Sequence, residues 1–255
     1  SKCQVTDSKY LYITEGFQSL VQGKISFSED SVTNPEVTSE TDSFQIDVYS
    51  DSSFNYLIVT DASVKITPTP GELSSGSVSY TSLTTGDTTD YTFELETAHK
   101  IPAGGYVKIE LPDSISVSLG SSECFEPYGF SPGYSCTFTT NSISVEGGFA
   151  SEYFGQLSLK VSNLKNPPTS QTSSSIKYYT QYNSFTIDRK LEGITVTMEV
   201  PNEFQSLRVE SQSEVVGQTT NFIVYLDPFN LLYDGSHVLV KFPPELSVPS
   251  SPECF

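Results

Sequence analysis

Apolar and polar residues alternate along most of this chain. The alternation is clearest in five segments bounded by Gly, Pro, Asn or Asp, namely 91–95, 107–111, 157–161, 194–198 and 222–226. A period of two residues predicts β-strands that bury one face, and no stretch of ten or more residues keeps the spacing of an amphipathic helix. We therefore expect an all-β protein.

The sequence also repeats itself. Gly86-Asp87-Thr88-Thr89 recurs as Gly217-Gln218-Thr219-Thr220 (217 − 86 = 131), and Leu111-Pro112 recurs as Phe242-Pro243 at the same offset. Three further pairs recur at similar offsets: Cys124 with Cys254 (254 − 124 = 130), Asn34 with Asn166 (166 − 34 = 132), and Cys3 with Cys136 (136 − 3 = 133). An offset of this length suits a whole domain, so the sequence predicts a tandem array with a period of about 131 residues.

The turn signals suggest where each domain lies. About nine short strand segments between Ser77 and Glu203 are typical of an immunoglobulin-like β-sandwich. We predict one complete domain at residues 74–204, the C-terminal part of another repeat at 1–73, and the N-terminal part of the next at 205–255. Neither flanking part can bury both faces of its strands alone. Each is expected to pair with a complementary piece, either in a longer continuous chain or in a separate subunit.

The cysteines indicate a disulfide framework. Cys124 and Cys136 are separated only by the segment 125–135. A disulfide there would close a short loop and stabilise the fold by about 3 kcal/mol in the chain-entropy model. We expect it to staple a loop rather than to bridge the sheets as in antibody domains. Cys3 and Cys254 are predicted to pair across repeat or subunit junctions, and such disulfides favour an extracellular or cell-surface location.

The charge limits the classes of partner. A net charge of −18 with only 13 Lys and Arg residues would repel nucleic acid and anionic membranes, so neither is predicted as a partner. No run approaches the 18 apolar residues of a membrane span. The acidity either keeps the protein soluble or binds calcium. Calcium is the weaker alternative, because the following carboxylates are scattered and form no calcium-binding loop: Asp47, Asp51, Asp61, Asp188 and Asp234.

No catalytic or metal-binding constellation stands out, so we predict neither an enzyme nor a cofactor. His99 and His237 each lack a second histidine nearby and are interpreted as surface or turn residues. Glu94, Glu96 and Glu110 could be imagined as a hydrolase acid pair. The alternation instead places all three on the same outward face as ordinary polar residues.

The segment between Cys124 and Cys136 is rich in aromatic residues. Its candidate contact residues are Phe125, Tyr128, Phe130 and Tyr134, which lie among Pro and Gly. Aromatic side chains on a rigid loop offer a large contact area at a small entropic cost, so they could bind a neighbouring repeat or a glycan. The alternative is that they cover the open end of their own sandwich.

A hydroxyl-rich stretch follows Asn166-Pro167-Pro168. It contains Thr169, Ser170, Thr172 and Ser173, which are candidate O-glycosylation sites, although a plain loop is the default interpretation. The chain has no Asn-x-Ser/Thr sequon, so N-glycans are not expected.

The repeat resembles the tandem Ig-like repeats of very large secreted or surface proteins of ciliated protists. The resemblance rests on the segments 101–109, 111–112, 164–170 and 217–220 and on the cysteine pair. It covers residues 80–255 well and residues 1–60 more loosely. What it implies is an extracellular, non-enzymatic array, and it names no ligand.

These expectations lead to one functional prediction. We expect a structural, non-enzymatic building block of an extracellular filament or surface stalk, which self-associates through neighbouring repeats. The alternative is a cell-surface adhesin that displays glycan- or cell-binding loops on the same repeats. Saturable binding of a sugar or a cell-surface partner would distinguish the adhesin from the scaffold.

Overall fold

The computed structural model describes residues 2–6, 9–17, 19, 21–232 and 234–250. Within these residues the protein contains β-strands and no helix, so the prediction of an all-β protein is confirmed. Cys254 lies outside the described residues, and its predicted pairing with Cys3 stays a prediction.

Two sheets occupy the middle of the chain. The strands of these two sheets are β5 Gly71–Glu72, β6 Ser75–Tyr80, β7 Thr88–Glu96, β8 Tyr106–Glu110, β9 Ser116–Val117, β10 Cys124–Tyr128, β11 Ser135–Phe138, β12 Ser142–Glu146, β13 Gln156–Lys165, β14 Lys177–Tyr182 and β15 Phe185–Lys190. Four strands precede them along the chain: β1 Lys2–Thr6, β2 Tyr10–Thr14, β3 Phe44–Tyr49 and β4 Leu57–Val64. Two strands follow them: β16 Phe204–Ser211 and β17 Phe222–Pro228. The five-stranded sheet has the order β10-β13-β7-β6, with β9 also paired to β13, and the six-stranded sheet has the order β11-β12-β8-β14-β15-β5.

The two sheets bury a common core between them, as in a β-sandwich. Tyr91, Phe93 and Leu95 of β7 alternate with more exposed residues and point inward, as the pattern of two predicts. The ring of Phe93 meets the ring of Tyr178 from the opposite sheet, with centroids 6.3 Å apart and an edge-on geometry. Among the described residues, every buried hydrophobic side chain lies between Leu73 and Met198.

One predicted strand takes another form. Ile194, Val196 and Met198 alternate and are buried as predicted, yet residues 194–198 form no ladder strand. Their backbone accepts single hydrogen bonds instead, from Ile176 N to Ile194 O (2.7 Å) and from Ser173 N to Val196 O (2.9 Å). The segment is extended and closes the core, but its bonds are too sparse for a continuous ladder.

Three two-stranded hairpins flank the central sandwich. β1 pairs with β2, β3 with β4 and β16 with β17, all antiparallel. The hairpins expose large apolar side chains on the face that would be buried in a complete sandwich. On β16 and β17 these include Leu207, Val209 and Phe222.

The flanking hairpins share strand registers with hairpins of the central sandwich. Ser75 pairs with Glu96 and Ser206 pairs with Asp227, so both members are displaced equally (206 − 75 = 131 and 227 − 96 = 131). The pair Cys136↔Val145 corresponds to Cys3↔Ile13 (136 − 3 = 133 and 145 − 13 = 132), and Thr180↔Asp188 corresponds to Val48↔Val59 (180 − 48 = 132 and 188 − 59 = 129). The first two sets of displacements are close to the sequence offsets, and the third reflects a longer β3–β4 turn.

Candidate functional site

The predicted disulfide between Cys124 and Cys136 is present, with the two Cα atoms 6.2 Å apart. The prediction that it only staples a loop is wrong. Cys124 lies on β10, at the edge of the five-stranded sheet, and Cys136 lies on β11, at the edge of the six-stranded sheet. The bond therefore ties the two sheets together along one edge, because the intervening loop crosses from one sheet to the other.

The aromatic residues of this loop divide into packed and exposed groups. Phe130 packs against Phe149, with ring centroids 5.5 Å apart, and against Tyr134 at 6.3 Å. The Phe125 ring lies under the ammonium group of Lys160. Tyr128 is 64% exposed. Phe130 and Tyr134 thus pack against the core of their own sandwich, as in the alternative that the sequence left open, and the ring of Tyr128 is exposed.

The candidate O-glycosylation residues also differ in exposure. Thr169, Ser170 and Thr172 are exposed. Ser173 is buried, and its hydroxyl donates to Ser174 O and accepts from Val196 N. This leaves Thr169, Ser170 and Thr172 as the positions whose hydroxyls a modifying enzyme could reach.

The sequence suggested that His99 is an isolated surface or turn residue. In the structure its side chain instead pairs with Asp188. Its Nδ1 lies 2.6 Å from Oδ1 of Asp188, a fully buried carboxylate on β15. The second oxygen of Asp188 accepts the backbone N–H groups of Ala98 and His99 at 3.1 and 2.8 Å. Gly71 packs so closely that a Cβ there would collide with both side chains. The pair locks the loop after β7 onto β15, and no spacing rule in the sequence signals it.

The prediction that the three glutamates share one outward face is wrong, because they belong to two different sheets. Glu94 and Glu96 belong to β7 in the five-stranded sheet, where they accept hydrogen bonds from Ser77 and Ser75. Glu110 belongs to β8 in the other sheet. The acid pair of a glycoside hydrolase flanks a single scissile bond. Glu110 lies on a different sheet from Glu94 and Glu96, so it cannot form such a pair with either of them.

Glu110 lines a polar cleft of about 380 Å³ beside Lys108, Asp113, Asn141 and Lys177. Its carboxylate accepts hydrogen bonds from Lys108 Nζ at 2.8 Å and from the Tyr179 hydroxyl at 3.1 Å. The hydrogen bond from Lys108 is the largest cause that holds the pKa of Glu110 below its usual value, with further contributions from the charge of Lys108 and from Tyr179. The cleft offers charged and hydroxyl groups for a polar ligand.

Asn166 is buried, and its side chain connects two parts of the sandwich. In the sequence it stood out only because Asn166-Pro167 repeats Asn34-Pro35. Its side-chain amide donates to Ser82 O at 3.0 Å and Thr84 O at 2.8 Å, and its Oδ1 accepts from the Tyr91 hydroxyl at 2.6 Å. These bonds hold the turn before β7 against the end of β13. A buried amide that is fully bonded in this way fixes one loop geometry.

The same turn meets the C-terminal hairpin. Asn202 donates its backbone N–H to Thr85 Oγ1 and its side-chain amide to Thr85 O and Asp87. Asn230, which follows β17, donates to Thr85 Oγ1 at 3.1 Å. The segment 85–87 therefore links the central sandwich to the hairpin β16–β17.

The largest unexplained feature is the apolar surface of the flanks. On β2, β3 and β17, the side chains whose counterparts in the central sandwich point into the core are exposed or half-buried. Leu239 is 94% exposed. Contiguous exposed apolar area of this kind marks an interaction surface in natural proteins.

The described residues contain no candidate metal centre. In the part of the chain that the structure describes, no group of three or more His, Cys, Asp or Glu side chains could hold a metal ion. The same residues include no helix with the length and apolar character needed to cross a bilayer. The disulfide is compatible with an extracellular location.

Comparisons with known proteins give little guidance. No family model and no curated protein matches the chain. Among solved structures, the crystal structure of BslA, a bacterial hydrophobin, is 14% identical in sequence and superposes with a TM-score of 0.32, covering 50% of this chain and 100% of that one.

Proposed function

We propose that this protein is a structural, non-enzymatic building block of an extracellular filament or surface stalk. In this proposal the chain is built from tandem Ig-like β-sandwich repeats with a period of about 131 residues, a length that suits a whole domain. The resemblance to the large surface proteins of ciliated protists supports the same view. The function lies in the geometry of the array rather than in a reaction.

One observation carries the proposal. A complete central sandwich is flanked on both sides by hairpins that have the same strand registers and leave their apolar faces uncovered. Exposing such faces is unfavourable by roughly 25 cal/mol for each Å² of apolar surface. Neighbouring repeats that covered them would recover this free energy, so assembly is the state that the sequence favours.

The linkage at Thr85 supports an ordered array. Asn202 and Asn230 both bind the turn at Thr85, so the start of the next repeat is held by directed hydrogen bonds rather than by a free linker. A sandwich with strands of about ten residues at 3.3 Å each, plus a linker, gives an axial repeat of roughly 35 to 45 Å.

Electron microscopy of the native material with power spectra tests the proposal. We expect filaments with a layer line near one or two sandwich lengths. Denaturing electrophoresis with and without reductant then separates the two modes of assembly, since a giant band that survives reduction indicates one continuous chain. Monodisperse particles with the mass of one chain would contradict the proposal.

The alternative function is adhesion. The polar cleft beside Glu110 and the exposed ring of Tyr128 offer groups of the type that bind sugars. A glycan array probed with the labelled chain tests this reading. Saturable binding that the Tyr128→Ala variant loses would favour the adhesin, and the absence of any binding would favour the scaffold.

A further inference from the structure

Some segments of the flanks correspond to strands of the central sandwich but do not form strands themselves. In each case the pairing partners correspond to segments of the opposite flank. In the central sandwich, β8 lies between β12 and β14. The segment that corresponds to β8, at the offset that relates Leu111 to Phe242, is 237–241, which is not a strand. The segments that match β12 and β14 at the shared registers are β2 and β3, at the other end of the chain. Among the described residues of its own flank, the segment 237–241 therefore has neither of these partners beside it.

The same relation holds at the N-terminal flank. β13 pairs with β7, β9 and β10. The segment that corresponds to β13, at the offset that relates Asn34 to Asn166, is 24–33. It is not a strand and exposes Ile25, Phe27 and Val32. The counterpart of β7 is β17, in the C-terminal flank. Each hairpin that does form has both of its strands within one flank.

The two flanks leave the central sandwich at opposite ends. Ser74 N donates to Glu96 O beside the entry of the chain, whereas Thr85 N donates to Val200 O beside its exit. The strand β7 runs between these two points, and nine residues at about 3.3 Å each separate them by roughly 30 Å. The two flanks of one chain are therefore attached about one strand length apart. A contact between opposite ends of identical units is head-to-tail, and it generates an open filament where the rotation between successive units does not close a ring.

We propose that residues 204–250 of one copy and residues 2–66 of a second copy fold together into one complete sandwich. This inference rests on the proposed function and names the partner, a second copy of this chain. Residues 237–241 become a strand between β2 and β3 of that copy, and its residues 24–33 become a strand beside β17. The apolar faces of both flanks are buried in the resulting core.

The sizes of the side chains at one core position are complementary in this arrangement. In the central sandwich, a Cβ at Gly76 would lie 2.8 Å from Ile194 Cδ1 and 3.7 Å from the Tyr178 ring, so a larger residue there would require the Ile194 side chain to shift. The position of Gly76 is occupied by Leu207 in the C-terminal flank. The positions of Ile194 and Tyr178 are occupied by Val64 and Ile46 in the N-terminal flank (194 − 64 = 130 and 178 − 46 = 132), since Phe44 pairs with Val64 as Ile176 bonds to Ile194. The larger residue on one flank thus faces smaller residues on the other.

The shared register predicts a specific contact between copies. Glu110 pairs with Ser142 in the central sandwich, and the matching residues are Lys241 and Tyr10. Lys9 precedes Tyr10, so its amine and that of Lys241 of another copy should lie within reach of a short amine-reactive cross-linker.

The first test mixes full-length chains labelled with 14N and 15N and treats the mixture with this cross-linker. If the two chains are mixed in equal amounts, the proposal expects about half of the Lys9–Lys241 cross-links to join a 14N peptide to a 15N peptide. The other half should join two peptides with the same isotope. Cross-links that join only chains of one isotope would mean that both cross-linked segments belong to one chain, and they would overturn the proposal. The absence of the Lys9–Lys241 link would overturn it as well.

The second test uses Val240→Asp, which places a charge in the middle of the new strand, at the position of the buried Ile109. An unpaired buried charge should weaken association at least about a hundredfold in a sedimentation series, with the melting of the central sandwich unchanged. The matched control is Leu231→Asp. Leu231 is 75% exposed and matches Lys100, whose side chain remains 61% exposed in the complete sandwich. The control should assemble like the unmodified chain.

The outcomes separate this inference from the proposed function. Filaments that form equally well with Val240→Asp would retain the structural role and overturn the completed sandwich. A chain that stays monomeric at all concentrations, with no filaments in the native material, would overturn both.

Discussion

The central hairpin β6–β7 and the flanking hairpin β16–β17 have the same register but opposite surroundings. Tyr91 and Phe93 of the central hairpin are fully buried, whereas Phe222, in the position of Tyr91, is 38% exposed. The two hairpins differ in whether a second sheet lies over them. Strand pairing within a hairpin is therefore decided locally, whereas burial is decided by residues far away in the sequence.

The difference teaches where the stability of this protein resides. A two-stranded hairpin is at best marginally stable in water, and three or more strands with a covered face are needed for an independent fold. The central sandwich meets this condition with two sheets and a cross-sheet disulfide. The flanks do not, so variants at matched positions should behave very differently.

The largest contrast is expected at Ile109 and Val240, which are matched at the common offset (240 − 109 = 131). Ile109→Ala should lower the free energy of unfolding of the central sandwich by about 2 to 5 kcal/mol, because it opens a cavity in a packed core. Val240→Ala should change the same quantity in the monomer by no more than about 0.5 kcal/mol. Urea titration at a concentration where the chain is monomeric measures both values.

Equal losses at the two positions would contradict the comparison, since they would mean that Val240 is already packed within its own chain. Val238→Ala, at the position of the buried Val107, is a second flank variant for the same comparison.

The strand pattern was predictable from the sequence because alternation is a local property. Four of the five alternating segments are strands, and the fifth, 194–198, is buried and extended without a ladder. Its backbone bonds depend on residues 173–176, which lie near it only in the folded chain. The order of the strands in the two sheets likewise depends on such distant contacts, and periodicity carries no information about them.

The second prediction concerns the disulfide. Replacing both Cys124 and Cys136 with Ala should lower the free energy of unfolding of the central sandwich by about 3 kcal/mol, because the bond closes a short loop in the unfolded chain. Differential scanning calorimetry measures the change. Cys3→Ala is the control, and it should leave the melting of the monomer unchanged because Cys3 is exposed and unbridged there. A loss of stability in the control would show that the N-terminal flank belongs to the same cooperative unit.

The candidate site shows the same division between local and distant information. The cysteine pair was predictable because a spacing of this kind is a local signal, but the fact that it joins two sheets follows from the topology. The pairing of His99 with Asp188 joins residues 89 apart in the sequence. Asn166 was visible only as a recurring dipeptide, and its hydrogen bonds to Ser82 and Thr84 required the structure.

The third prediction introduces a feature of the flanks into the central sandwich. Gly76→Leu should destabilise the central sandwich by about 1 to 3 kcal/mol, because the new side chain meets Ile194 and Tyr178. Adding Ile194→Val should restore part of this loss, since it recreates the combination of Leu207 with Val64. Thermal melting of the two single variants and the double variant measures the coupling. Strictly additive losses would contradict the argument from complementary sizes.

The smallest effect is expected at Glu110, where the central sandwich has an ion pair that the flank lacks, since the matching residues are Lys241 and Leu239. The hydrogen bond from Lys108 lowers the pKa of Glu110 from its ordinary value of 4.5, so the ionised form stabilises the fold. This contribution is present above pH 4.5 and is lost as the pH falls through the lower pKa of the folded state. Because the carboxylate is partly exposed, Glu110→Gln should cost at most about 1 kcal/mol at neutral pH.

The pH series decides whether this cost is electrostatic. The difference in unfolding free energy between Glu110→Gln and the unmodified chain should shrink as the pH falls below 4.5, since the unmodified carboxylate then loses its charge. Glu214→Gln, an exposed residue of the C-terminal flank, removes the same charge without touching Lys108 and serves as the control. If the Glu110→Gln difference stayed constant down to acid pH, the cost would come from lost packing or from the Tyr179 hydrogen bond, and the charge would contribute nothing to the difference between the central sandwich and its flanks.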